Sequence, residues 1–294
     1  MVEFLQLIAT GIMVGGLYAT VAAAIVLVYK STHIVSLAHG QIMGFGALTF
    51  YFGLVALKLP FVLAFAMALS SGALLGWCIE HFAMRPLIGQ SLFASFLNTF
   101  AIFLLMDGAF QLILKGGSLS YSSLLPTGML SIGRVPFSVT QLVSLGVALL
   151  LFIALAFFFR FTKLGLGMRA TSEDHQLAET TGIPVRAIFS FIWVLSGVVA
   201  AIAGAILANV MDIYYPLPYV VIKGLVVALV GGLESLTGAL LAGLLLGILE
   251  NVSSGYLDPL VGGGVREVAA YVLLLFVLLV KPYGLFGLVR IERI

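Results

Sequence analysis

Eight apolar stretches, residues 4–29, 36–57, 60–82, 92–114, 138–161, 187–211, 219–250 and 266–281, make up most of this chain. A helix needs roughly 20 apolar residues to cross a bilayer, and most of the stretches reach that length. Every backbone N–H and C=O in hydrocarbon must be bonded within the protein, so stretches of this kind are expected as helices. Composition agrees: 62% of residues are hydrophobic and 9% charged, against roughly 25% charged in a soluble domain. The fold class is therefore all-α, a polytopic membrane helix bundle. The seventh stretch is too long for one untilted crossing, and Gly231, Gly232 and Glu234 interrupt it. A broken helix there raises the count to eight or nine spans, with the freed backbone buried in protein or facing a water-filled cavity.

Several functions are excluded on chemical grounds. The net charge of +2 comes from scattered basic residues and forms no continuous phosphate-binding surface, so nucleic acid is not expected as a partner. Cys78 is the sole cysteine, which leaves packing as its expected role. The four histidines, His33, His39, His81 and His175, form no H-E-x-x-H pattern, and neither a nucleophile elbow nor a tight carboxylate cluster occurs. No catalytic or metal-binding residue is assigned, and Glu234 and Glu250 are expected near span ends or glycine-rich breaks. The first span lacks a basic leader, and Phe4 to Tyr29 exceeds the core of a signal peptide, so it is read as uncleaved.

Nine crossings with the start outside would place Lys30, Arg85, residues 160–186 and Lys281 inside, as the preference of Lys and Arg for the cytosol requires. The loop 115–136 then lies outside. Small residues recur four apart at Gly11 and Gly15, Gly40 and Gly44, Gly72 and Gly76, Ala200 and Gly204, and Gly243 and Gly247. This spacing puts each pair on one helical face and permits close helix approach, which a compact bundle explains without a dimer face. The chain 1–294 is read as a single transmembrane domain.

The polar island at 160–186 is patterned as a short cytosolic helix. Gly165 and Gly167 are expected to break the preceding span, Thr171 or Ser172 to cap a helix over 172–181, and Glu173 and Asp174 to favour its positive end. Gly182 suits a left-handed stop, and Pro184 cannot continue the helix. A helix of two to three turns is unstable alone and must be held by packing.

Two polar residues within the spans stand out. His39 lies among Gly40, Gly44 and Gly46, where a broken helix would expose backbone to a solute path; the same His could instead bond a neighbouring helix. Asp107 lies four residues before Gln111, on the same helical face. It is satisfied by a neighbouring helix or serves as a proton relay, the latter making the chain a proton-coupled secondary transporter.

Four blocks now carry a resemblance. Gly165-Leu-Gly-Met-Arg-Ala-Thr-Ser-Glu-Asp with Ala178 and Gly182-Ile183, Ala38-His39-Gly40 with Gly44 and Gly46, Val230-Gly-Gly-Leu through Gly243 to Glu250, and Pro282-Tyr-Gly-Leu-Phe-Gly287 resemble, in order and spacing, the permease subunits of branched-chain amino acid type ABC importers. The length suits the shorter of the two related membrane subunits. Ser36-Leu37 stands where that family commonly has Asn-Phe, Gln41 where an acidic residue often follows, and Glu234 and Thr237 where Gly and Pro are usual. The solute is left open among branched-chain amino acids, urea, short amides and aromatic acids.

The resemblance implies a non-catalytic subunit in a prokaryotic inner membrane, surrounded by membrane lipid. Its implied partners are a second related permease, two cytosolic ATPases and an extracytoplasmic solute-binding protein received by the external loops. The chain has no G-x-x-x-x-G-K-[ST] phosphate loop, so no cofactor is expected on it and ATP is expected on the partner subunits. The segment 162–186 would couple to the ATPase through Ser172, Glu173, Asp174, Ala178, Glu179 and Gly182. The path residues would be His39, Gly40, Gln41 and Gly44.

Overall fold

The computed structural model of the chain describes residues 2–120, 128–132, 135–173 and 175–287. In chain order the elements are α1 (Val2–Thr32), α2 (Ala38–Tyr51), α3 (Phe61–Cys78), α4 (Leu92–Leu114), β1 (Met129–Ile132), β2 (Val135–Ser138), α5 (Val139–Phe161), α6 (Lys163–Glu173), α7 (His175–Thr180), α8 (Val185–Val210), α9 (Val220–Gly231), α10 (Leu236–Val261) and α11 (Val265–Val280). Among the described residues, six helices are long and apolar enough to cross a membrane: Glu3–Thr32, Phe61–Leu87, Leu92–Leu114, Val139–Phe161, Val185–Val210 and Leu236–Val261. The other expected spans fall on shorter helices, at α2, at Leu217–Gly231 and at α11. One departure from the all-helical expectation is a small antiparallel hairpin in the loop before α5, which pairs Met129 with Ser138 and Ile132 with Val135.

The chain divides into two compact units. The first comprises Met1–Val26, Leu125–Phe152 and Lys223–Ile294. Here the glycine pairs of α1 and α10 meet each other. A Cβ on Gly11 would lie 2.7 Å from the Gly247 carbonyl oxygen, and one on Gly15 would strike the Gly243 carbonyl. Backbones approach this closely only where side chains are missing, and the small-residue spacing thus serves packing within the chain.

The break expected near residue 231 is present. The helix α9 ends at Gly231, Gly232 adopts φ +100°, and the Ser235 side chain caps α10 by accepting from the Gly238 N–H at 3.0 Å. The last carbonyls of a helix have no partner inside it. The closing Pro282–Gly287 segment supplies two, because Leu285 N–H donates to the Val230 carbonyl at 2.8 Å and Phe286 N–H to that of Gly231 at 3.1 Å. The freed backbone is therefore buried in protein.

The second unit comprises Leu27–Leu124 and Ile153–Ile222. Its centre is α2, almost all of whose residues are buried against α3, α4 and α8. Gly46 rests on Ala201, Gly204 on the Met43 carbonyl, Gly72 on Gly197 and Gly76 on the Trp193 carbonyl. Thr99 Oγ1 reaches the Val35 carbonyl, Gln41 reaches Asp107, and Phe45 packs on Phe110. These contacts advance together along both chains, so α2 and α4 run parallel.

The polar island folds differently from the expectation: in place of one helix over 172–181 there are α6 and α7, and Thr171 and Ser172 lie inside α6, where neither is a helix cap, with Glu173 at its end. The preceding span ends at Phe161, and Thr162 is the cap, accepting from the Gly165 N–H at 2.9 Å. Gly165 and Gly167 do not break a helix; they lie inside α6, where a Cβ would come within 2.6 Å of the Phe158 carbonyl oxygen and 2.8 Å of Ile188 Cδ1, respectively. Close approach outweighs their low helix propensity. The stop at Gly182 is as read, with φ +85° and Ile183 N–H donating to the Ala178 carbonyl at 3.1 Å.

Candidate functional site

The four expected path residues lie on the first turns of α2, and each faces a different neighbour. His39 is 1% exposed and spans from Ser36 to Ser196, with ring-nitrogen distances of 3.0 Å to Ser36 Oγ and 2.8 Å to Ser196 Oγ. The Ser196 hydroxyl donates to the Trp193 carbonyl at 3.0 Å and so accepts from the ring. The imidazole also lies against the Trp193 ring, 5.4 Å between centroids. His39 thus fastens α2 to α8, and both of its nitrogens are engaged inside the chain. Gly40 and Gly44 bring α2 against the short 3₁₀ turn Leu217–Tyr219: a Cβ on Gly40 would strike the Pro218 carbonyl, and one on Gly44 would meet Pro218 Cγ at 2.9 Å.

Gln41 points to Asp107, and the two helices share a polar knot. Gln41 Nε2 donates to Asp107 Oδ1 at 2.9 Å and Gln111 Nε2 to Oδ2 at 2.7 Å. The Tyr219 hydroxyl interacts with the same carboxylate and bonds Tyr215 at 2.9 Å. Gln41 itself is fully buried, and its Oε1 has no hydrogen-bond partner among the described residues. Both carboxylate oxygens act as acceptors, and among the described residues no cation lies within ion-pair distance of Asp107. A relay proton on Asp107 would displace one of the two amide donors. Gln111 and Tyr215, with Gly108, Lys115 and Gly117, line an open cleft of about 820 Å³ at the end of α4.

In the first unit lies a charge network that residue-by-residue reading did not find. Glu250 is 0% exposed and sits in the interior of α10, not near a span end or a break as expected. It accepts from the Tyr18 hydroxyl at 2.9 Å and pairs with Lys223 at 3.1 Å, with Arg266 3.9 Å away. Lys223 also pairs with Glu267 at 3.0 Å, and Arg266 donates to Asn251 Oδ1 at 2.5 Å. The signal was present as opposite charges within the apolar stretches 219–250 and 266–281, which must meet to be tolerated. In the second unit Arg85 holds the buried Glu80 through two 3.1 Å bonds, and Ser190 Oγ donates to Glu80 at 2.6 Å.

On the cytosolic segment, Ser172 is half-buried, Glu173, Glu179 and Gly182 are exposed, and Asp174 lies outside the described residues. Ala178 is buried within the chain, so its small size serves internal packing, while the adjacent Leu177 is 64% exposed. Among the described residues no three His, Cys, Asp or Glu side chains converge as metal ligands.

Comparison with known proteins shows what the chain as a whole is similar to. The family described as branched-chain amino acid transport system / permease component matches residues 7–281. The high-affinity branched-chain amino acid transport system permease protein LivH of Escherichia coli (strain K12) is 26% identical, over 99% of this chain and 98% of that protein. The corresponding BraD of Pseudomonas aeruginosa is 28% identical over the same shares. A probable branched-chain amino acid transport permease protein LivH of Methanocaldococcus jannaschii is 30% identical, over 94% of this chain and 90% of its own length.

Proposed function

From the premise that this chain belongs to the branched-chain amino acid transport system permease family, and is thus a multi-span inner-membrane subunit of an ABC importer and not an enzyme, we propose its solute, its partners and its coupling surface. The solute is a branched-chain amino acid or a related small molecule: urea, a short amide or an aromatic acid. The transmembrane domain works with a second related permease and receives an extracytoplasmic solute-binding protein on its outer loops. Two cytosolic ATPases bind and hydrolyse ATP.

The segment 162–186 docks on the ATPase. The observation that carries this reading is the exposed Leu177, flanked by exposed Glu173 and Glu179 on a helix pair anchored to α8 through Gly167 and Ile188. An apolar side chain in water between two carboxylates suits a groove with an apolar floor and a basic rim. Closure of the nucleotide-bound ATPase pair would push on α6 and α7 and tilt the helices they abut. Ser172 and Gly182 border this face, and Ala178 supports it from beneath.

The experiment is Leu177→Asp, with co-purification of an ATPase carrying a phosphate-loop motif as the readout. Burying a leucine contributes about 1.5–3 kcal/mol, so co-purification should fall roughly tenfold or more while the permease stays folded. Unchanged co-purification together with unchanged uptake would remove this docking surface.

A further inference from the structure

We propose that Asp107, oriented by Gln41 and Gln111, is the selectivity group of the solute path and takes the N–H-bearing end, ammonium or amide, of the transported molecule. The inference rests on the importer reading above and goes beyond it by assigning the group that chooses the solute. Its first support is charge. The Asp107 carboxylate is 6% exposed, and its described partners are two amides and a phenol, which solvate a negative charge without cancelling it. A second, separate observation is the fully buried Gln41 Oε1, an acceptor with no donor among the described residues. An unmet acceptor beside an uncompensated carboxylate asks for one more N–H group.

Access supports the same reading. Gln111 belongs both to the carboxylate's shell and to the lining of the 820 Å³ cleft, and Tyr215 lies in that lining while bonding Tyr219. Rotation of the exposed Gln111 amide would open Asp107 to the cleft. Non-helical backbone from Asp212 to Tyr215, with Pro216 and Pro218 following, lies beside it, and Ile213 is held to Leu119 by paired backbone bonds of 2.9 and 3.0 Å. Irregular backbone in a membrane protein is tolerated where it is buried or lines a cavity.

The chemistry discriminates among the candidate solutes. Amino acids, urea and short amides each bring an N–H donor, whereas an aromatic acid brings only a carboxylate that Asp107 would repel. The test uses the complete transporter with its binding protein in proteoliposomes. Uptake of leucine, urea, acetamide and benzoate is measured beside the ATP hydrolysed, for the native chain and for Asp107→Asn. Losing one charged hydrogen bond costs roughly 1.5–3 kcal/mol, so the variant should move about tenfold less solute per ATP while binding-protein-stimulated hydrolysis persists.

A merely structural role would lower uptake and hydrolysis together and leave their ratio unchanged; that result overturns the proposal. Should the variant not assemble, Gln111→Leu at the exposed rim is read by the same ratio, with a smaller drop expected and an unchanged ratio again decisive against the proposal. A native transporter that moves benzoate and none of the N–H-bearing solutes overturns the assignment while the importer stands. Uptake that needs no ATP would instead remove the importer reading.

Discussion

Two buried carboxylates, Glu250 in the first compact unit and Asp107 in the second, are held in opposite ways. In the first, Glu250 meets Lys223 and Arg266, and Glu267 completes a set of two negative and two positive charges shared by α9, α10 and α11, with Tyr18 of α1 bonded to it. In the second, Asp107 is held by Gln41, Gln111 and Tyr219, all neutral. Full ion pairing ties helices together and leaves no net charge to be used. Solvation by amides and a phenol leaves a charge that another molecule can meet. The difference separates a buried anion that serves cohesion from the one proposed to meet the solute.

Glu250→Leu attacks the contrast where the effect is largest. It strands Lys223 and Arg266 without their shared carboxylate, and removing one partner of a buried ionic group costs about 3–5 kcal/mol. Thermal unfolding of the permease in nanodiscs should show a marked loss, whereas Asp107→Asn should lose much less, because Gln41 and Gln111 can rotate their amides to suit the new side chain. Equal losses for the two variants would dissolve the distinction between structural and functional carboxylates.

Parts of this arrangement were legible in the sequence, and physical reasons separate them from the rest. The break after Gly231 followed from a span too long for the bilayer and from two glycines in its middle. The Asp107–Gln111 bond followed from helical spacing alone. Gln41 could not be named as the second donor, because it lies on another helix and periodicity says nothing about which faces meet. Glu250 was misplaced because it closes the apolar stretch 219–250 and so marked a span end, whereas α10 runs on to Val261. Gly165 and Gly167 were misread alike, because their low helix propensity drew attention away from the space a missing side chain provides. Ala178 was placed on the coupling face by the resemblance, yet it is buried within the chain, because the direction in which a helix turns its small residues depends on tertiary packing.

Gly247→Val sharpens the first unit's half of the comparison through packing alone. A Cβ at this position would collide with the Gly11 carbonyl and would meet the Gly15 backbone at 2.5 Å. Neither obstacle is the end of a flexible side chain, so α1 and α10 must separate, and overpacking of this kind costs about 1–3 kcal/mol. Separation would also lengthen the Tyr18–Glu250 bond that links the same two helices. The expected outcome is a lower unfolding temperature, together with greater access of a hydroxyl-directed label to Tyr18; an unchanged temperature would mean that the glycine contact carries no weight.

Gly108→Ala is the opposite case in the second unit, and the smallest effect. Gly108 lies in the interior of α4, one residue beyond Asp107, with nothing within 4 Å of its would-be Cβ and no positive φ to require a glycine. Alanine removes backbone freedom from the unfolded chain and should stabilise the helix by about 0.5–1 kcal/mol. The added methyl faces the cleft that Gln111 and Tyr215 line. A glycine that costs stability without serving a packing contact is explained if the cleft wall must stay smooth or α4 must flex as solute passes. The variant should therefore unfold at a slightly higher temperature and transport more slowly per ATP. Higher stability with undiminished transport would separate Gly108 from the path and leave Asp107 to act through Gln111 alone.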